Sequence, residues 1–231
     1  MPLEWGKVEA ILFDIDGTLS DSDDQLVMKV EGWLRPFGWL TSAEKRHALA
    51  RWLVMAAESP GNFIYNQADR LSLDSFLIKL LNQRTRARKH AIKTYWIIPG
   101  VEAMLRELAG RYLLGVVSAR DEGSSLAFLR QFNLEDCFRV VVTSQTCART
   151  KPFPDPLLHA AQILRTKPQN CLMVGDTTVD MRAASLAGMQ ALGVLCGFGM
   201  RRELLRAGAN MIVDSTTDLQ ALLQEEFTKG R

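Results

Sequence analysis

The stretch Val8-Glu-Ala-Ile-Leu-Phe-Asp14-Ile-Asp16-Gly-Thr-Leu19 joins a short apolar run to two acids set one residue apart. A run that is apolar at successive positions belongs to a strand covered on both faces, as in a parallel sheet flanked by helices. Asp14 and Asp16 are then expected on one side of an extended chain, and Gly17 permits a turn that a side chain would resist. A lone Asp-x-Asp of this kind more often just caps a turn. However, a second apolar run ends the same way, in Leu172-Met-Val-Gly-Asp176, with Asp180 close behind. In open parallel sheets ligands bind beyond the carboxyl ends of the strands. Carboxylates gathered at one sheet edge repel each other, and a divalent cation or a bound cationic side chain offsets that cost. Oxygen ligands without clustered His or Cys suit Mg²⁺ rather than zinc.

Outward from these two runs, strand-length apolar segments recur at 112–117, 139–142, 190–194 and 211–213. Helix-like segments separate them from residue 99 onward. Val101, Met104, Leu105 and Leu108 form one helical stripe, and Leu126, Leu129 and Phe132 another. Pro99-Gly100, Gly188 and Gly208 punctuate the alternation. Residues 22–95 read differently. Three apolar helical stripes run through Leu26–Phe37, Leu49–Ala56 and Leu73–Leu81, with capping-box signals at Ser22-x-x-Gln25 and Thr41-x-x-Glu44. The expected architecture is α/β, a Rossmann-like parallel sheet in three α/β/α layers. Its core is residues 1–21 and 96–231, and an all-helical domain is inserted at 22–95.

Two further strand ends carry complementary groups. Val117-Ser118-Ala119-Arg120 supplies a hydroxyl and turn amides, and Thr150-Lys151-Pro-Phe-Pro154 supplies a lysine just before a proline-started helix. Each alone reads as an ordinary cap or a solvated charge; their order along the chain, each following a strand or starting a helix, gives them weight.

With Asp14-Ile-Asp16-Gly-Thr18, Ser118, Lys151 and Gly175-Asp176-Thr-Thr-Val-Asp180 in this order, the chain resembles the haloacid dehalogenase superfamily of phosphotransferases over nearly its whole length. Leu19-Ser-Asp-Ser22, Lys151-Pro-Phe-Pro-Asp-Pro156 and Gly197-Phe-Gly199 make it most similar to the phosphoglycolate-phosphatase-like branch. The resemblance implies a Mg²⁺-dependent phosphatase of a small phosphorylated metabolite. Asp14 would be the nucleophile and Asp16 the general acid and base. Metal would be held by the Asp14 and Asp176 carboxylates and the backbone carbonyl of Asp16, with Asp180 in support. Ser118, the Ala119 amide and Lys151 would bind the phosphoryl group, and residues 22–95 would be a helical cap. An acid at Asp16 argues for phosphoryl chemistry over attack on carbon. Ala119 and Arg120 depart from the Asn and Lys frequent in relatives, which puts substrate fit in question. A phosphosugar mutase of the same fold, or a module that binds without turnover, is the alternative.

Composition sets the outer bounds. The 231 residues allow about one and a half domains. A net charge of +2, from 28 basic and 26 acidic residues, lacks the basic surplus of a dedicated nucleic-acid binder. No apolar run approaches the roughly 20 residues of a membrane span. Cys137, Cys147, Cys171 and Cys196 show no metal or redox spacing. The expectation is a cytoplasmic protein, monomer or homodimer, with neither nucleic acid nor membrane as partner. The basic run Arg84–Lys93 reads as a solvated helix face, and the loop 58–65 as a possible reach into the cleft.

Overall fold

The computed structural model describes residues 3–21 and 94–229. Six strands form one sheet: β1 (Ala10–Phe13), β2 (Leu113–Val117), β3 (Val140–Val142), β4 (Cys171–Gly175), β5 (Gln190–Val194) and β6 (Met211–Val213). Every pairing is parallel, in the order β3-β2-β1-β4-β5-β6. The six helices of the described residues are α1 (Val101–Ala109), α2 (Glu122–Gln131), α3 (Asp155–Ile163), α4 (Thr178–Ala187), α5 (Arg201–Ala207) and α6 (Asp218–Lys229). The strand segments expected from apolar runs are all present, to within two residues at their ends.

Alternation along β1 explains the three layers. Ile11 and Phe13 join Leu114, Val116, Leu172 and Val174 in a core built with α1, α2 and α6. Ala10 and Leu12 turn to the opposite face, where Met173 and Cys171 pack with α3, α4 and α5. A central strand buried on both faces is apolar throughout, and all four β1 residues are fully buried. The α1 stripe is buried as read. In α2 the buried line is Ser125, Phe128 and Leu129, rotated from the expected stripe so that Leu126 and Phe132 are only half-buried. The four cysteines are free thiols, two buried and two half-buried. Among the described residues no helix is long and apolar enough to cross a membrane.

The chain divides into two compact units, Met1–Asp23 with Tyr95–Arg231, and Asp24–Thr94. The three apolar stripes, the loop 58–65 and the basic run 84–93 lie outside the described residues. On the first unit the segments that leave for and return from the second are tied together. Asp21 N donates to Trp96 O and Ile98 N to Leu19 O, each at 3.0 Å, and Ser20 Oγ donates to Trp96 O.

Leu12 lies in the middle of the sheet with no exposed surface. Leu12→Ala is expected to lower unfolding free energy by about 2–5 kcal/mol, read as a shift in urea midpoint with the denaturant slope unchanged.

Candidate active site

The strand order reverses between β1 and β4, whose carboxyl ends form a topological switch point. Asp14 follows β1 and Asp176 follows β4, and Phe13 is in register with Val174. Asp14 N still donates to Val174 O at 3.0 Å. Beyond it the extended chain ends: Leu19 N and Ser20 N both donate to Ile15 O, and Gly17 N to Ser20 O. Asp16 therefore lies where the chain turns, in a single bridge with Ser20, and its carboxylate still adds to the negative charge around Asp14. Gly17 turns with φ +69°, and a Cβ there would overlap Asp176 Oδ2.

The buried side chains meet around Lys151. Its Nζ lies 2.9 Å from Asp14 Oδ1 and 2.6 Å from Asp180 Oδ1, and the lysine side chain is only 5% exposed. Asp14, Asp176 and Asp180 each bring a carboxylate oxygen within 4.8 Å of the others. Asp180 works at both oxygens. Oδ1 accepts from Lys151, while Oδ2 accepts from Thr177 N at 3.1 Å and Thr177 Oγ1 at 2.6 Å, closing the capping box that starts α4. Asp176 accepts from Thr18 Oγ1 at 3.2 Å and from Phe198 N at 2.8 Å.

Burial pushes the Asp14 carboxyl up to about 7, against the pull of Lys151, while the neighbouring Asp180 and Asp16 raise it further. Burial alone would lower Lys151, but Asp14 and Asp180 overcome it and lift the ammonium above the ordinary lysine range. The three-acid cluster fits a hard divalent cation. Its donors are all oxygen, and Asp14 Oδ1, although ion-paired with Lys151, lacks a well-angled hydrogen bond.

At the end of β2, Ser118 is buried and Ala119 exposed. Ser118 N donates to Val142 O, and Ser118 Oγ accepts from Arg120 N at 3.2 Å. The Asp16 carboxylate lies outside the lysine-centred cluster. Both of its oxygens accept from Arg120, Oδ2 from Nε at 2.8 Å and Oδ1 from Nη2 at 2.5 Å. Sequence reasoning singled out Asp14, Asp16, Ser118, Ala119, Lys151, Asp176 and Asp180, but it treated Arg120 only as a departure. It also missed Thr18, Thr177 and Phe198 as partners of the acids. The Thr177-x-x-Asp180 capping-box spacing was a readable signal; the others are contacts made across the fold.

A family model described as haloacid dehalogenase-like hydrolase matches residues 11–194, a span that includes every one of these acids. The chain belongs to the haloacid dehalogenase-like hydrolase family. Among curated proteins, this hydrolase is 27% identical over 230 residues to a phosphoglycolate phosphatase of Nitrosococcus oceani, covering 94% of this chain and 97% of that one. It is 29% identical to one of Neisseria meningitidis, covering 96% of each. Among solved structures, a hydrolase from Pseudomonas syringae superposes with a TM-score of 0.69 at 23% identity, covering 94% of this chain and 98% of that one. The chain is an enzyme of the phosphoglycolate-phosphatase-like branch of its family.

Removing the central cation has a pH-dependent cost. A buried acid whose folded pKa exceeds its unfolded value of 3.8 loses stability as pH climbs from the unfolded value through the folded one, and bears the full cost above it. Without Lys151 the Asp14 carboxyl is pushed higher still. Lys151→Met in metal-free protein is expected to lose about 3–5 kcal/mol at pH 8 and markedly less at pH 5, measured by urea unfolding. Equal losses at both pH values would contradict the ion-pair account.

Proposed function

We propose that this hydrolase is a Mg²⁺-dependent phosphatase of small phosphomonoesters resembling phosphoglycolate, working through an aspartyl-phosphate. The observation that carries the reading is the buried ammonium of Lys151, 2.9 Å from Asp14 Oδ1 at the switch point. A carboxylate so placed is shielded from water and has a fixed positive charge beside it, ready to balance a phosphoryl group drawn onto it. The name phosphoglycolate phosphatase, shared by the relatives above, supports the substrate class.

In this reading the Asp14 carboxylate attacks phosphorus, and the bond to the ester oxygen breaks with its electron pair on the leaving oxygen. Asp16 gives that oxygen a proton. Water then attacks the phosphorus of the aspartyl-phosphate and yields its proton to Asp16. The bond from phosphorus to Asp14 breaks, releasing inorganic phosphate and restoring the carboxylate. Ser118 Oγ and the Ala119 amide bind phosphoryl oxygens, and Lys151 holds charge opposite them throughout. A divalent cation held by Asp14, Asp176 and the Asp16 backbone carbonyl would neutralise charge on the transferring group. Asp180 keeps Lys151 in place from the start of α4. Residues 22–95 are the expected cap that supplies substrate contacts, and the free thiols suit a reducing cytoplasm.

The test is release of inorganic phosphate from p-nitrophenyl phosphate and from 2-phosphoglycolate, with and without Mg²⁺ and after chelation. Turnover should require the cation, and Asp14→Asn should lose roughly 10³-fold or more in kcat while keeping its circular dichroism spectrum. A folded wild-type protein that releases no phosphate across a metabolite panel would overturn the reading. So would transfer of the phosphoryl group to a sugar in preference to water.

A further inference from the structure

We infer that Arg120 is a positioning residue for Asp16, fixing where its carboxylate points during both proton transfers; the inference rests on the phosphatase reading above. Asp16 lies in a turn, and its side chain is 39% exposed. By itself such a carboxylate would sample several rotamers, and most of them would point away from the reacting oxygens. Arg120 removes that freedom. Nε and Nη2 donate to the two carboxylate oxygens separately, at 2.8 and 2.5 Å, so position and plane are both specified.

An exposed ion pair of two mobile side chains would be worth little. This cation is different, because it is also held by contacts other than the carboxylate. The Arg120 side chain is 14% exposed, and its guanidinium lies 5.1 Å from the Tyr95 ring centroid and 5.6 Å from that of Phe128. Its backbone is tied at both ends of the peptide unit. The N–H donates to Ser118 Oγ at 3.2 Å and the carbonyl accepts from Ser144 N at 3.0 Å. Nη2 also donates to Ser20 Oγ at 3.4 Å. Among the described residues Nη1 is buried with no hydrogen-bond partner. The directional fork is what the site uses, and a lysine, as a point charge, cannot supply it. Each Asp16 oxygen keeps a second lone pair for the proton it gives or takes, so the clamp aligns the group without occupying it.

The two proton transfers give the inference its own readout. Nitrophenolate leaves p-nitrophenyl phosphate without needing a proton, whereas 2-phosphoglycolate needs one, and hydrolysis of the phospho-enzyme needs a base with either substrate. For Arg120→Met and Arg120→Lys, kcat on 2-phosphoglycolate should fall roughly 10- to 100-fold with KM changed less than about threefold, the scale of lost alignment. With p-nitrophenyl phosphate the first turnover should stay near the wild-type rate. It should appear as a burst of about one nitrophenolate per enzyme followed by slow release of phosphate. The lysine variant should regain little of the loss. If the methionine variant does not fold by circular dichroism, the lysine variant decides by the same two measurements. A kcat within about twofold of wild type, a rise in KM alone, or equal slowing of both steps would overturn the inference, the last two by making Arg120 a substrate contact or a packing residue. Indifferent variants of a wild type that turns over defeat only this inference; a wild type without turnover defeats the phosphatase reading and this with it.

Discussion

A buried ammonium held between two buried carboxylates is the constraint on which the carboxyl edge of this sheet depends. Asp14, Asp176 and Asp180 bring oxygens within 4.8 Å of one another in a region closed to solvent, and three charges so placed would drive one another toward protonation. Lys151 opposes this from 2.9 and 2.6 Å. It does not cancel the effect, since burial still lifts Asp14 to about 7. The site is thus a charge balance left one positive group short, and the donors that remain are those a hard divalent cation prefers. A buried pair of this sort adds little net stability relative to apolar packing. What it supplies is a carboxylate position fixed by rigid elements.

That rigidity comes from secondary structure being used twice. Asp180 Oδ2 caps the first turn of α4 while Oδ1 holds Lys151, so the start of a helix and the orientation of the lysine are one arrangement. Asp14 N completes the ladder to Val174 O, so the backbone of Asp14 is part of the sheet. Thr18 and Phe198, from the loops after β1 and β5, hold Asp176 from two directions. Sites built on element ends in this way are more exact than sites carried wholly on loops.

Much of this was legible before any coordinates. A strand apolar at every position, as in Ala10–Phe13, announces a doubly covered sheet, and the acids at strand ends announce an edge that binds something. Lys151 and Asp180 could be singled out by order along the chain, but their contact with each other is visible only in the fold. The Asp16–Arg120 clamp could not be read in this way. The partners are separated by 104 positions, and their meeting follows from β2 pairing beside β1, a choice among several sheet orders that short apolar runs do not distinguish. The break in the strand after Asp14 was also hidden. Asp-x-Asp spacing looks the same in an extended chain and in a turn, and only the hydrogen bonds gathered on Ile15 O tell them apart.

The difference between Asp14 and Asp16 is therefore one of surroundings, since the residue type is the same. One carboxylate is buried beside a point charge, which balances it without dictating direction, as the proposed nucleophile would need in exchanging its ion pair for a bond to phosphorus. The other is half-exposed and held by a planar fork, which dictates direction while leaving lone pairs open, as the proposed acid and base would require. Two identical side chains two residues apart can divide nucleophilic and acid–base work in this way only if their environments diverge. The turn that begins at Ile15 is what makes them diverge. With that turn in place, Asp14 pairs with Lys151 and Asp16 with Arg120.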